Sequence, residues 1–240
     1  MSAPTVIRAA DGAAVAARAA RLIGDLLDAT LAARGRAHLA LAGGTTPAGA
    51  YAQLQCGDWN GVELWFGDER CVGPDDPESN YRMVAETLLG HAAGALVHRI
   101  EGELGAEPAA AAYDALLRER VSADGGLLPV LDIVLLGIGE DGHTASLFPH
   151  NPALAAAGVT CVAVHDAPKP PPDRVSLSLE LLRRAHATIL LASGPGKADA
   201  LARALAQPDP AVPASLLARE RLTVIADSAA LAGQGAEPPR

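Results

Sequence analysis

The chain predicts an α/β fold: a doubly wound, mostly parallel sheet flanked by helices, in a Rossmann-like three-layer sandwich. Three observations carry that expectation. Six short apolar runs, at residues 38–42, 62–66, 131–136, 159–164, 188–192 and 222–226, are mostly continuous rather than alternating, as parallel strands buried on both faces are. Helix-patterned stretches separate them, and the strand, helix, strand order calls for parallel pairing. The segments that stand apart in glycine, charge and histidine each begin where such a run ends, the edge at which open α/β sheets hold their ligands.

In chain order, a helix over about 12–34 leads into the run at 38–42. The next helix, about 47–55, follows Gly43 and Gly44, with Thr45 or Thr46 able to cap it and Pro47 suited to its first turn. After the run at 62–66 a helix is expected over about 79–90, capped by Ser79 with Arg82 in its first turn, so Ser79 and Asn80 read as structural. A helix over about 107–122 precedes the run at 131–136, one over 178–184 precedes 188–192, and helices over 197–206 and 213–219 precede 222–226. No repeat or low-complexity linker divides the chain. At roughly 150 residues per domain, 240 residues fit a single α/β domain spanning 1–240, with room for a small subsidiary lobe. The loop 168–172, proline but for Lys169, is stiff, and the tail Glu237-Pro-Pro-Arg240 is expected to fray.

Composition excludes more than it identifies. Half the residues are hydrophobic, 3% are aromatic and 52 are alanine, a background that fills helix faces wherever nothing larger is demanded. With 19 Lys+Arg against 28 Asp+Glu the formal charge is −9. That argues against nucleic-acid or anionic-membrane partners, which need clustered cations. A small anionic substrate needs only two or three local cations and is not excluded. No apolar run approaches a membrane span of ~18 residues, and the N-terminus carries no signal pattern. The three cysteines, Cys56, Cys71 and Cys161, are odd in number and lack metal-type spacing. A cytoplasmic location is the simplest expectation.

Four segments depart from the alanine background. In Leu41-Ala-Gly-Gly-Thr-Thr-Pro47, Gly43 and Gly44 allow close backbone approach before a helix N-terminus, an arrangement suited to phosphate. Trp65-Phe-Gly-Asp-Glu-Arg-Cys-Val72 sets Asp68, Glu69 and Arg70 directly after a strand. Leu135-Leu-Gly-Ile-Gly-Glu-Asp-Gly-His-Thr-Ala-Ser-Leu-Phe-Pro149 contains a literal G-x-G-x-x-G at Gly137, Gly139 and Gly142. A dinucleotide there is disfavoured, because Glu140 and Asp141 would meet the pyrophosphate and Pro149 and Pro152 cut short the helix that should follow. Asp141 and His143 read instead as an acid/base pair, since an imidazole can accept a proton at neutral pH. His38, His91, His98, His150, His165 and His186 lack such a setting and read as surface or core. The fourth segment comprises Lys169-Pro-Pro-Pro-Asp-Arg-Val175 and Ala192-Ser-Gly-Pro-Gly-Lys-Ala198. Arg174 and Lys197 could neutralise one phosphate, whereas Lys169 reads as a solubilising surface charge. No Walker pattern, G-x-S-x-G elbow or His/Cys metal cluster is present.

Together, Ala42-Gly-Gly-Thr-Thr-Pro47, Gly67-Asp-Glu-Arg70 with Ser79-Asn80, Gly137-Ile-Gly-Glu-Asp-Gly-His-Thr-Ala-Ser-Leu-Phe-Pro149 and Ser193-Gly-Pro-Gly-Lys197 occur in the order seen in 6-phosphogluconolactonases. The chain resembles that family, part of a superfamily shared with glucosamine-6-phosphate isomerase/deaminase, over nearly its whole length. The resemblance implies hydrolysis of 6-phosphoglucono-δ-lactone, a phosphorylated sugar lactone, in the second step of the oxidative pentose phosphate pathway, with no metal and no organic cofactor. It implies His143 as general base; Gly43, Gly44, Thr45, Arg174 and Lys197 as phosphate-handling positions, with Thr46 in the same loop; and Asp68 and Arg70 at the active-site rim. Deaminase-type sequences have Glu before the proline and Tyr after Asp-Glu. Here those places hold Phe148 and Arg70, which points to the lactonase.

The expected mechanism anchors the phosphate on the 43–46 loop with Arg174 and Lys197. His143 then activates a water, Asp141 or Asp68 orients the imidazole, and Arg70 stabilises the oxyanion. General-base assistance is typically worth about 10²–10⁴ in rate, with oxyanion stabilisation of similar order. The alternatives are a glucosamine-6-phosphate deaminase/isomerase, a non-catalytic sugar-phosphate-binding protein, and a nicotinamide-dependent dehydrogenase. A monomer or weak homo-oligomer is expected.

Overall fold

The computed structural model describes residues 3–235. The tail from Glu237, expected to fray, lies outside them. The larger sheet takes strands β1 (Thr5–Ala9), β2 (Ala37–Leu41), β3 (Val62–Phe66), β5 (Leu96–Val97), β6 (Ile133–Gly137), β9 (Ala187–Ala192) and β10 (Leu222–Asp227). Their spatial order is β1-β10-β9-β6-β2-β3-β5, and every pairing is parallel. Chain order runs outward from β2 through β3 to β5 and from β6 through β9 to β10, so the winding reverses between β2 and β6. The predicted doubly wound parallel sheet is therefore present.

The apolar runs become strands because both faces are covered. All five residues of β2 and of β3 are buried. Helix α1 (Gly12–Arg34) lays Val15, Ala19, Ile23 and Leu27, four residues apart, against the sheet. It is capped by Asp11, which accepts from the Ala14 N–H at 2.8 Å, and ends at Gly35 with φ 69°. Helices α2 (Thr45–Tyr51), α3 (Asn80–Val84), α4 (Ala106–Arg120), α5 (Leu179–Arg184) and α6 (Ala198–Leu205) complete the covering layers. Ser79 caps α3 as expected, its hydroxyl accepting from the Arg82 N–H at 3.2 Å. The helix then widens into a π turn over Ala85–Leu89.

Three expectations are corrected. The run at 159–164 is not a strand of the parallel sheet: β7 (Cys161–Val164) pairs antiparallel with β8 (Arg174–Leu177), which pairs antiparallel with β4 (Asp68–Arg70) in a separate three-stranded sheet. Gly67 joins the sheets, its N–H donating to the Leu41 carbonyl and its carbonyl accepting from the Leu177 N–H, both at 2.8 Å. The helix at 213–219 is only a 3₁₀ turn, Pro213–Leu216. Neither Thr45 nor Thr46 caps α2: the cap is Gly44, at φ 107°, without a side-chain bond, because the chain reaches the helix through a backbone conformation that glycine alone adopts readily.

Candidate active site

The loops after β2, β3, β6 and β9 meet at the carboxyl edge of the parallel sheet, at the winding reversal where such folds hold ligands. They enclose, with the proline loop, a cleft of about 400 Å³. Gly43, Gly44, Asp68, Arg70, His143, Arg174 and Lys197 all line it. Asp141 stands behind His143. Thr45 and Thr46 lie one step back, in the first turn of α2, where the leading N–H groups have no partner within the helix.

The β6 turn is built to hold one imidazole. Gly139 N–H donates to the His143 carbonyl at 2.9 Å, and the Thr144 hydroxyl donates to the Gly137 carbonyl at 2.9 Å. No helix follows, which removes the expected partner of a dinucleotide fingerprint. His143 Nδ1 and Asp141 Oδ1 are 2.5 Å apart, and the His143 N–H donates to the same oxygen at 3.2 Å. The pair fixes the ring with Nε2 free. Partial burial would raise the Asp141 carboxyl, but hydrogen bonding and the charge of His143 outweigh it and bring the group down to about 2. Phe148 packs on the imidazole with ring centroids 4.5 Å apart. Gly139 is required here, since a Cβ at that position would overlap both His143 and Asp141.

Asp68 does not touch the imidazole. Its buried carboxylate accepts from the Ser146 hydroxyl at 2.6 Å and from Asn80 Nδ2 at 3.3 Å. Asn80 also donates to the Asp68 carbonyl at 2.8 Å and faces Gly43, where a Cβ would lie 2.6 Å from Asn80 Cγ. A buried chain thus runs from Ser146 through Asp68 and Asn80 to the glycine loop. Asn80, read from sequence as purely structural, also lines the cleft. Tyr51 braces the same loop from below, its hydroxyl donating to the Ala42 carbonyl at 2.9 Å and accepting from the Ala42 N–H at 2.8 Å. Glu69 points the other way, accepting the N–H groups of Asn80 and Tyr81 at the start of α3; burial nevertheless raises its carboxyl.

Four cationic side chains line the cleft: Arg70, Lys169, Arg174 and Lys197. Against them stand Asp68 and Glu78, so the cleft is locally basic in a chain of charge −9. Arg70 and Arg174 face each other in register across β4 and β8, an unfavourable pairing without an intervening anion. Burial, then the charge of Arg70, lowers the Arg174 guanidinium. Arg174 donates through Nε to the Pro171 carbonyl at 3.1 Å and through Nη2 to the Lys169 carbonyl at 2.9 Å, and its guanidinium carbon lies 5.5 Å from the Phe148 ring centroid. Arg70 Nη1 donates to the Glu78 carbonyl at 2.6 Å, and its buried Nε has no partner among the described residues. The other histidines lie outside the cleft; His98 meets buried Glu63, and His165 meets Asp173 and Glu107.

An α/β protein with a carboxylate–imidazole pair and a ring of cations at its winding reversal is equipped as an enzyme acting on a small anion. The chain belongs to the glucosamine-6-phosphate isomerase/6-phosphogluconolactonase family, whose model matches residues 10–225. A 6-phosphogluconolactonase of Mycobacterium tuberculosis is 42% identical over 213 residues, covering 84% of this chain and 85% of that one. One of Rattus norvegicus is 37% identical, covering 77% and 74%. The solved structure of the Trypanosoma brucei 6-phosphogluconolactonase superposes with a TM-score of 0.85 at 29% identity, covering 95% of this chain and 98% of that one.

Proposed function

We propose that the chain hydrolyses 6-phosphoglucono-δ-lactone to 6-phosphogluconate in the oxidative pentose phosphate pathway. The observation that carries this reading is the Asp141–His143 pair aimed into a cleft lined by four cations. Asp141 holds Nδ1 and balances the charge that develops on the ring. Nε2 takes a proton from water as the water oxygen bonds to the lactone carbonyl carbon. The tetrahedral oxyanion collapses, the ring C–O bond breaks, and the proton on Nε2 passes to the departing ring oxygen. Arg70, whose side chain lines the cleft, serves the oxyanion. Arg174, Lys197 and the 43–46 loop take the phosphate. Asp68 holds the cleft floor through Ser146 and Asn80 rather than steering the base.

Phe148 stands where deaminase-type sequences place a ring-opening Glu, which favours the lactonase over the deaminase. The domain spanning 1–240 acts in the cytoplasm as a monomer or weak homo-oligomer; no described helix is long and apolar enough to cross a membrane. The test is lactone hydrolysis with substrate generated in situ from glucose 6-phosphate. Rapid disappearance of lactone, with no ammonia released from glucosamine 6-phosphate, supports the reading; ammonia release without lactonase activity overturns it.

A further inference from the structure

The chain has two lysines, Lys169 and Lys197, and both line the one cleft. Sequence alone makes Lys169 a solubilising charge, but its mounting is unlike that of a surface lysine. It heads a loop in which residues 168, 170, 171 and 172 are proline, each with φ fixed by its ring. The Ala167 N–H donates to the Pro172 carbonyl at 2.9 Å and closes the base of the loop. His165 Nδ1 lies 2.7 Å from Asp173 Oδ1, joining the two stems below. Arg174 then grips the Lys169 carbonyl at 2.9 Å and the Pro171 carbonyl at 3.1 Å. The backbone of Lys169 is therefore fixed before any ligand arrives, and binding through it has little chain ordering to offset.

Its charge is also unspent. Among the described residues the ion pairs are made by arginine and histidine, and neither lysine has a carboxylate partner. Lys169 is exposed and lines the same cleft as Arg174, whose guanidinium carries its loop. His143 and Arg174 both meet the Phe148 ring, the imidazole at 4.5 Å between centroids and the guanidinium carbon at 5.5 Å from the centroid. Lys169 and Arg174 thus bring two cations to one cleft from one loop and its anchor, and the strongest attraction such a pair offers is to a dianion.

We propose that Lys169 is a further substrate-binding residue, its ammonium meeting the ligand phosphate together with Arg174. This rests on the lactonase reading above, and the experiment separates the two. Wild-type protein is assayed on 6-phosphogluconolactone and on unphosphorylated δ-gluconolactone; without a preference for the phosphorylated compound the functional reading itself fails, whatever Lys169 does. Given that preference, Lys169→Ala is expected to raise KM for the phosphorylated lactone about tenfold with kcat within about twofold, as for one charge-assisted contact in a partly solvated site. Lys169→Arg should recover most of the loss, and turnover of the unphosphorylated lactone should change less than about twofold. A KM in Lys169→Ala within about twofold of wild type overturns the proposal. So does an equal loss on both lactones, which would show that the loop matters and its charge does not.

Discussion

Gly139→Ala perturbs the proposed base without removing any catalytic group. Gly139 is not among the glycines at positive φ, so alanine is compatible with its backbone. The added Cβ, however, would fall on His143 Nδ1 and Cε1 and on Asp141 Oδ1, all well inside the 3.0 Å that real Cβ contacts respect. The turn offers little relief, because the Gly139 N–H is bonded to the His143 carbonyl and the Gly142 N–H to the Gly139 carbonyl, at 2.9 and 3.0 Å. The side-chain pair must therefore shift by about 1 Å, a displacement that costs on the order of 10²-fold when it misplaces a reacting group. kcat for the lactone should fall about 100-fold with KM nearly unchanged. The Gly139→Ala/His143→Ala double variant should be no slower than His143→Ala alone, since both changes disable the same group. Steady-state kinetics of the three variants, with melting curves to confirm folding, form the assay. A folded Gly139→Ala protein within about fivefold of wild-type kcat would refute the assignment of the pair.

Other expected outcomes follow from the same geometry. Ser146→Ala removes the 2.6 Å bond to buried Asp68 and should cost about 1–3 kcal/mol of stability in urea unfolding. Tyr51→Phe leaves both Ala42 backbone groups unpaired; it should cost about 1–3 kcal/mol and raise KM, because the loop it braces begins at the next residue. The Asp141 carboxyl lies at about 2, below its unfolded value of about 3.9. Its stabilising contribution is therefore present above about pH 4 and lost as pH falls towards 2. The melting-temperature advantage of wild type over Asp141→Asn should hold from about pH 5.5 to 4 and close between about 4 and 2.

Five of the main sheet's seven strands were legible because they are short apolar runs and burial on both faces is what such runs report, whereas the edge strands β1 and β5, largely exposed, gave no such signal. The same signal misassigned residues 159–164: continuous apolarity speaks to burial, not to the direction or sheet of the pairing partner. β4, composed of Asp68, Glu69 and Arg70, was illegible as a strand because its charged residues are held by partners remote in sequence, Asn80, Tyr81 and Ser146. His143 and Asp141 could be read because a local glycine turn makes their contact. Asn80 and Ser146 could not, since they reach Asp68 across 12 and 78 residues. The place of Lys169 at the cleft was not legible for a related reason: the proline loop is visible in sequence, but the Arg174 bonds to its carbonyls exist only after β8 has paired.

The most direct test of the account is the pair of steady-state constants for His143→Ala on 6-phosphogluconolactone. A general base predicts a kcat lowered about 10²–10⁴-fold with KM within a few-fold of wild type. An unchanged kcat with a raised KM would make His143 a binding residue and contradict the mechanism.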